Sequence, residues 1–351
     1  MPTKTATNFE HTVEQQRIIS SVALAVQVYA YAGTGKTSTL VACVEYDIGS
    51  GVRPEEIVCL SFSNAAKTVL EARLPLGVQV QTVHAFAFSL AQERQPSLRV
   101  LTSAEAERLF VQAVRRERKG LAKGSRRREF LDQLLGTKNN VRLGLGLLEL
   151  VGAGHRASSL VADKGLPFSA FAGFQPMLKR VARRYNRILK REGRVDFVGM
   201  IRLGIKAKKE AGGPAFTHLY VDEWQDCTPA QARLVAKLAP NLQKLRVFGD
   251  PLQAIYGFAG ARFVSLTGLV RGAEVKNLTS SFRLTRPNAA LATAIVQQSD
   301  QQAPPLEGAR GAGPRPRLVR CNRASQQAAA VCEIVQKLVQ AGTMPSDIAI
   351  L

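Results

Sequence analysis

Apolar runs followed by glycine or polar residues recur in the first third of the chain and return after its middle. A short apolar run of roughly four to eight residues that ends in turn-forming residues is typical of a buried strand. Five runs fit this pattern: Val26–Ala30, Glu56–Phe62, Val78–Val80, Thr217–Glu223 and Lys244–Phe248. Because helical patterns separate them, the sequence predicts an α/β fold built on a parallel sheet.

A helical, basic segment interrupts this pattern over residues 98–213. Lys36 and Asp222, which we assign below to one site, are therefore 186 residues apart. The pattern predicts a core of residues 1–97 and 214–274, an inserted helical domain of 98–213, and part of a second core domain from 275 to 351. In the last part we expect a helix at Ala324–Ala341 and strands at Leu318–Cys321 and from Asp347 onward.

The composition of the chain indicates a polyanionic partner. The 351 residues include 48 Lys and Arg against 27 Asp and Glu, a net charge of +21. Residues 98–213 carry 26 of the basic and 10 of the acidic residues. Such a balance favours nucleic acid over a membrane surface, although a solvated helix face is the simpler alternative for the segment alone. The basic run Arg126, Arg127 and Arg128 is our candidate for DNA contacts.

The strongest chemical motif follows the first strand. The sequence AYAGTGKT places Gly33 and Gly35 in a loop between a strand and a helix, where backbone N–H groups can surround phosphates. Lys36 would reach the β and γ phosphates, and Thr37 would offer its hydroxyl to Mg²⁺. The strict pattern has glycine where this chain has Ala30. The predicted ATP-binding loop comprises Ala32, Gly33, Thr34, Gly35, Lys36, Thr37 and Ser38.

Two later strands also end in chemically useful groups. Asp222 and Glu223 follow an apolar strand, so one acid could hold Mg²⁺ while the other activates water. The loop after Lys244–Phe248 combines Gln253 with Tyr256 and Phe258, which joins a phosphate-sensing amide to rings that stack on single-stranded bases. Upstream, the Gln15 amide could read adenine, since it both donates and accepts hydrogen bonds.

These motifs occur in a specific order. Gln15, AYAGTGKT, LSFSNAA, TVHAFA, YVDEWQDCTPA, GDPLQAIYGFAGA and LTSSFR together resemble superfamily 1 DNA helicases of the UvrD/Rep type. DCTPA and SFR are most similar to the F-box DNA helicase branch, although no F-box is seen. Alanine at position 30 is usual in that family. The resemblance implies an ATP-binding, RecA-like core. The domain that the family inserts into this core would correspond to residues 98–213.

The resemblance also implies roles for individual residues. Glu223 would be the catalytic base, Gln253 would sense the γ-phosphate, and Arg283 would reach the γ-phosphate from the second core domain. Gln15 and Phe282 would contact adenine, and Thr37 and Asp222 would hold Mg²⁺. The residues implied along the single-stranded DNA track are Phe62, Asn64, His84, Tyr256 and Phe258. The expected activity is ATP-dependent 3′ to 5′ translocation on single strands, with tailed or forked duplexes as substrates.

Two departures from the family pattern qualify this expectation. The family's FRGA reads Phe258-Ala259-Gly260-Ala261 here, and nothing resembles the last two motifs. We therefore expect this chain alone to bind ATP and DNA, with at most traces of DNA-stimulated hydrolysis and no unwinding. The alternatives are a truncated binding protein and the motor part of a helicase–nuclease. A protein partner or a missing C-terminal segment could complete the second domain.

Cysteine usage and the N-terminal segment favour an intracellular protein. The five cysteines show no paired metal-binding spacing, so buried free thiols in a reducing compartment are the simplest account. No run approaches the roughly 18 apolar residues of a membrane span. We expect a cytoplasmic location, with the nucleoid or nucleus as the place of action and no membrane partner.

Overall fold

The structure is a computed structural model that describes residues 10–152, 174–210, 215–255, 263–298 and 303–350. Its central sheet has six strands in the order β3-β2-β6-β7-β1-β8, and all neighbours are parallel. These strands are β1 (Ala25–Ala30), β2 (Ile57–Ser61), β3 (Gln79–Thr82), β6 (His218–Val221), β7 (Lys244–Gly249) and β8 (Glu274–Leu278). Two short strands, β4 (Arg99–Val100) and β5 (Arg194–Val195), pair with each other. The predicted parallel α/β fold is confirmed.

Helices cover both faces of this sheet. One face packs on α1 (Val13–Ile19), α2 (Lys36–Gly49) and α3 (Asn64–Glu71), and the other on α4 (Val83–Gln92), α9 (Phe197–Glu210) and α10 (Pro229–Leu238). Central strands are buried from both sides, which explains why β1, β2 and β6 are mostly apolar on both faces instead of alternating between apolar and polar residues. Threonine or serine hydroxyls at Thr12, Ser63, Thr82 and Thr228 cap the following helices.

Four helices form a separate apolar cluster within the insert. They are α5 (Ser103–Lys119), α6 (Arg126–Gly136), α7 (Lys138–Gly152) and α8 (Gln175–Arg191). Phe110 and Leu131 are fully buried at its centre. Helix α9 lies inside the predicted insert of 98–213, but Met200 and Ile201 belong to the core beneath the sheet. Helix α9 packs against α4, so its apolar face contributes to the core of the sheet. The bounds of the inserted domain remain a prediction.

The chain divides into two compact units, Met1–Arg283 and Leu284–Leu351. The predicted boundary at residue 275 falls within β8, which pairs with β1 in the first unit. Strand β9 (Ser280–Ser281) follows in the same unit. The wider division into domains remains a prediction.

The second unit contains α11 (Arg286–Gln297), β10 (Glu307–Gly308) and α12 (Ala324–Gln340). The predicted helix at 324–341 is confirmed, but the two predicted strands are wrong. Residues 318–321 form no strand, and Pro345–Asp347 is a 3₁₀ turn after which residues 348–350 are irregular. An apolar run becomes a strand only when a neighbouring strand takes up its backbone hydrogen bonds, and no local pattern specifies that neighbour.

Candidate nucleotide site and nucleic-acid surfaces

The loop between β1 and α2 requires glycine at two positions. Gly33 and Gly35 adopt φ values of 75° and 81°, in the left-handed region that disfavours other residues. A Cβ atom at Gly33 would lie 2.8 Å from the Ser281 hydroxyl and would collide with the Arg283 side chain. The loop is fixed further by the buried Thr34, whose hydroxyl donates to the Tyr31 carbonyl at 2.8 Å. A strand, a glycine loop and a helix N-terminus thus lie in the predicted order.

A cavity of about 400 Å³ opens above this loop. Most residues predicted for the ATP site line it, although they come from distant parts of the sequence. Those brought together are Gly33, Thr34, Gly35, Lys36, Thr37, Ser38, Glu223, Gln253, Phe282 and Arg283. Ala32 lies on the same loop, and its carbonyl accepts a hydrogen bond from Ser281 at 2.7 Å.

Arg73 lines the same cavity and was missed by the sequence analysis. Its guanidinium donates to the Ser38 hydroxyl at 2.9 Å. Nothing in the local sequence marks Arg73, since it follows the end of α3 and reaches the phosphate loop only through the fold. A cation at this place adds positive charge to a site that already holds Lys36.

Lys36 forms an ion pair with Glu223 across the cavity. Glu223 has φ 53° and ψ 41°, and no other non-glycine residue in the described ranges has a positive φ. Such a conformation costs free energy and persists where the surrounding structure enforces it, often at active sites. It turns the carboxylate of Glu223 from the end of β6 toward the phosphate loop.

Asp222 and Thr37 form the candidate magnesium site. The Thr37 hydroxyl lies 3.4 Å from Asp222 Oδ2, and Asp222 is 3% exposed. Burial raises the pKa of Asp222 to about 6, an effect that Lys36 opposes and Glu223 reinforces. A buried carboxylate of this kind gains from a neighbouring cation. In the part of the chain described, no three or more His, Cys, Asp and Glu side chains are arranged so that they could hold a metal ion by themselves. A few oxygen ligands at a phosphate site suit Mg²⁺, which usually keeps several waters.

A hydrogen-bonded path links the two strand ends. Gln225 donates to Glu223 Oε2 at 2.6 Å and accepts from the Asp250 amide at 3.0 Å. The Asp250 carboxylate in turn accepts from the Gln253 amide at 2.7 Å. Burial raises the pKa of Asp250. Gln225 and Asp250 are not among the residues predicted for the site, although both lie inside motifs that predict it.

Gln15 and Phe282 lie beside the phosphate loop. A Cβ atom at Gly35 would lie 2.9 Å from Gln15 Nε2 and 3.9 Å from the Phe282 ring. The Phe282 amide donates to the Gly33 carbonyl at 2.9 Å. The side chains predicted to contact adenine therefore come within reach of the same loop, and their roles remain predictions.

Phe62 and His84 follow β2 and β3, which are neighbouring parallel strands. Both side chains are half-buried, whereas Asn64 is exposed at the start of α3. The His84 ring packs edge-on against Phe197 with centroids 5.2 Å apart, and burial lowers the pKa of His84. Phe197 is 53% exposed and extends this aromatic surface, which the sequence alone did not indicate. Tyr256 and Phe258 lie outside the described residues.

A basic groove runs along the insert. It consists of two adjoining cavities of about 710 and 180 Å³ that share Gln112, Arg116 and Glu192. Basic side chains from α5, α7 and α8 converge on it: Arg108, Arg115, Arg116, Lys119, Lys138, Arg184, Arg187 and Arg191. Helical spacing puts them on facing sides of packed helices, a relation that requires the tertiary structure.

The predicted DNA contacts Arg126, Arg127 and Arg128 lie at the start of α6 and do not line that groove. Arg126 and Arg127 are exposed. Arg128 is half-buried, and its guanidinium donates to the Leu121 carbonyl at 3.1 Å. Their contact with DNA remains a prediction.

The fold and the cavity define a P-loop nucleotide-binding protein. Residues 11–270 match the UvrD/REP helicase N-terminal domain family. The chain therefore belongs to that family, as its motifs predicted. Within the described residues, no helix is long and apolar enough to cross a membrane.

Known relatives carry helicase names. The chain is 26% identical over 323 residues to "DNA helicase IV" of Escherichia coli K12, which covers 82% of this chain and 47% of the relative. It is 25% identical over 350 residues to "ATP-dependent DNA helicase PcrA" of Leuconostoc citreum, an alignment that covers 92% of this chain and 44% of the relative. It is 26% identical over 355 residues to "ATP-dependent DNA helicase UvrD2" of Mycobacterium tuberculosis H37Rv, with 93% and 49% covered. The chain thus spans about half the length of these relatives.

Proposed function

We propose that this chain is the ATP-binding part of an ATP-dependent translocase that moves along single-stranded DNA, 3′ to 5′ by family resemblance, and separates duplex strands. The observation that carries the proposal is the convergence of Lys36, Glu223 and Gln253 on one cavity at the ends of three parallel strands. Such an edge is where α/β sheets bind nucleotides. The names of the relatives, which include ATP-dependent DNA helicases, support the same reaction.

The site residues divide the work of ATP hydrolysis among them. Backbone N–H groups of the glycine loop and the N-terminus of α2 hold the phosphates. Lys36 moves away from Glu223 and pairs with the phosphates instead. Glu223, freed from Lys36, accepts a proton from the attacking water. Gln253 and Arg283 contact the terminal phosphate. Thr37 and Asp222 would hold Mg²⁺, whose charge offsets that of the phosphates when it is bound.

Two surfaces of the first unit would hold DNA. The half-buried rings of Phe62 and His84, with Phe197, offer stacking surfaces for single-stranded bases. The basic groove of the insert adds charge that attracts phosphates without reading sequence. We place the protein in the cytoplasm, in association with the nucleoid if it is bacterial.

The proposal is tested by single-turnover ATP hydrolysis, with the protein in excess over radiolabelled ATP so that slow turnover is measurable. We expect Mg²⁺-dependent hydrolysis that accelerates when a single-stranded oligonucleotide is added. Hydrolysis indifferent to DNA would contradict the proposed translocase. Nucleotide binding with no hydrolysis under any condition would favour the alternative of an ATP- and DNA-binding protein.

A further inference from the structure

Gln225 is a buried side chain whose two polar ends meet two different strand ends of the nucleotide site. It is 3% exposed. Its Nε2 atom donates to Glu223 Oε2 at 2.6 Å, after β6, and its Oε1 atom accepts from the Asp250 amide at 3.0 Å, after β7. A Cβ atom at Gly249 would lie 3.0 Å from Gln225 Oε1, so the backbone must approach the amide closely. Both functional ends of the glutamine are therefore committed to the site.

The other buried glutamines of the described residues, Gln15, Gln27 and Gln231, all bond to the backbone. Gln15 accepts from the Thr12 amide at 3.0 Å in the cap of α1. The amide of Gln27 bridges the Val264 carbonyl and the Leu266 amide. Gln231 accepts from the backbone and hydroxyl of Thr228, which closes the cap of α10. Gln225 differs from these three because one of its partners is the carboxylate predicted to activate water. Satisfaction of the Asp250 amide explains only one end of its side chain.

The path from Gln225 continues to the predicted γ-phosphate sensor. The Asp250 carboxylate accepts from the Leu252 amide at 3.0 Å and from Gln253 Nε2 at 2.7 Å. Asp250 is 1% exposed, so its carboxylate has little water to replace these bonds. The orientation of Gln253 is thus tied to the same backbone that Gln225 holds. The middle of this path, Gln225 and Asp250, is buried, and buried hydrogen-bonded groups of this kind keep a fixed geometry.

We propose that Gln225 is a positioning residue that holds the Glu223 carboxylate in place and, through Asp250, aligns Gln253 with it. The inference rests on the proposed function, since it assigns a task to Gln225 in ATP hydrolysis. Lys36 and Gln225 bond to the same oxygen of Glu223. When Lys36 moves to the phosphates, Gln225 remains as the partner that keeps this carboxylate directed at the site. A movement of Glu223 is also passed to Gln253 over two hydrogen-bonded side chains.

Two substitutions of Gln225 separate its bond to Glu223 from its bond to the Asp250 amide. Gln225→Met removes both hydrogen bonds at nearly constant volume. Gln225→Glu keeps an oxygen that can accept from the Asp250 amide, but it places a carboxylate against Glu223. The matched control is Gln231→Glu, because a carboxylate can replace the amide oxygen in that helix cap. Each variant is made in the 351-residue chain.

Two readouts are taken for each variant. Hydrogen exchange of the Asp250 amide, measured without nucleotide, reports the bond between Gln225 and Asp250. Single-turnover hydrolysis of Mg-ATP, together with nucleotide affinity, reports the bond between Gln225 and Glu223. The fluorescence of Trp224, which is the one tryptophan of the chain and is fully buried between Glu223 and Gln225, reports local disturbance.

In Gln225→Met the Asp250 amide should exchange about tenfold faster, as expected for the loss of one hydrogen bond. In Gln225→Glu its protection should persist. Both variants should bind the nucleotide nearly as tightly as the unaltered chain but hydrolyse it about 100-fold more slowly, as misplacement of a catalytic group by about 1 Å would cause. Gln231→Glu should match the unaltered chain in both readouts.

Unchanged exchange at Asp250 in Gln225→Met, or hydrolysis within twofold of the unaltered chain in both Gln225 variants, would overturn the positioning role. Equal losses of binding and hydrolysis with altered Trp224 emission would show a general structural defect and would also overturn it. If the unaltered chain neither binds nor hydrolyses ATP, the proposed function fails. The exchange of Asp250 then decides by itself whether Gln225 holds this loop.

Discussion

The nucleotide edge of the sheet and the helical insert carry charge in two different ways. At the sheet edge few charges are present, and most are buried or paired: Lys36 with Glu223, Asp222 beside Thr37, and Asp250 with Gln253. Arg73 and Arg283 line the same cavity from exposed positions. In the insert many arginines lie at the surface of helices around a groove. The charges at the sheet edge hold individual groups in a defined geometry within a small cavity. The charges of the insert attract a polyanion electrostatically without fixing its geometry.

This difference predicts how each region responds to substitution. A paired, buried charge cannot be replaced by a neighbour, so one substitution at the sheet edge should abolish nucleotide binding or greatly slow hydrolysis. Charges that surround a groove act together, and each exposed one contributes little. The following predictions test this contrast, from the largest expected effect to the smallest.

Lys36→Ala should abolish the binding of a fluorescent ATP analogue. The variant removes the lysine that pairs with Glu223 at the glycine loop, so the site loses the cation that would contact the phosphates. Titration of the analogue in the presence of Mg²⁺ measures the loss. Arg53→Ala is the matched control, because that exposed arginine pairs only with its neighbour Glu56 within the described structure. Unchanged affinity of Lys36→Ala would remove the assignment of the loop.

Glu223→Gln should bind Mg-ATP but hydrolyse it about 10²–10⁴-fold more slowly, the contribution of a positioned general base. The amide retains the size of the side chain but cannot accept a proton from water. Single-turnover rates and equilibrium binding measured on the same preparation separate the two effects. A variant that hydrolyses at the rate of the unaltered chain would place the base elsewhere.

Replacing Arg116 and Arg187 with glutamine should weaken binding to single-stranded DNA and flatten its salt dependence. Each lost phosphate contact should reduce the log–log slope by about 0.7. Both residues line the groove, and Arg116 lines both of its cavities. Fluorescence anisotropy with a labelled oligonucleotide across a series of salt concentrations gives the slope.

The comparison variant is Arg126→Gln with Arg127→Gln, which removes the same charge from the start of α6. If the groove collects the DNA phosphates, the change in slope should be greater for Arg116 and Arg187. A greater effect at Arg126 and Arg127 would instead support the surface predicted from the sequence. Equal slopes for both double variants and the unaltered chain would show that the insert does not hold DNA.

Gly144→Ala should lower the stability of the insert by about 1–3 kcal/mol, the usual cost of overpacking a core. A Cβ atom there would collide with the ring of the buried Phe110 and lie 3.4 Å from Leu134 Cδ2. Gly146→Ala on the same helix is the control, since nothing lies within 4 Å of its new Cβ. Thermal unfolding should separate the two variants. If the insert has its own core, both should bind the ATP analogue normally.

The sequence was sufficient to predict the features that depend on local order. Apolar runs, turn glycines and acids after a strand identify β1, β6 and β7 and bring Lys36, Asp222 and Gln253 to one edge, because parallel strands end together. Cys43, Cys59 and Cys227 are buried and free as expected, whereas Cys321 is half-buried and Cys332 is exposed. These features require no knowledge of distant packing.

Features made by contacts between distant segments were not predictable in this way. Arg73 reaches the phosphate loop from the turn after α3, and the groove arises where α5 and α8 pack together. Consecutive arginines at 126–128 were the more visible signal, but residues next to each other in a helix point in different directions. The strands expected at 318–321 and after 347 failed for a related reason, because a strand depends on a partner outside its own sequence.

The central claim is that nucleotide and DNA act on one coupled unit. Its most direct test is the affinity of the chain for a single-stranded oligonucleotide, measured by anisotropy without nucleotide and with a saturating non-hydrolysable ATP analogue and Mg²⁺. Coupling of the two sites predicts a change in Kd of about 5-fold to 150-fold, and the same factor for nucleotide affinity when DNA is added. The change should vanish in Lys36→Ala. A Kd that is identical with and without nucleotide, in a chain that demonstrably binds both, would contradict the account.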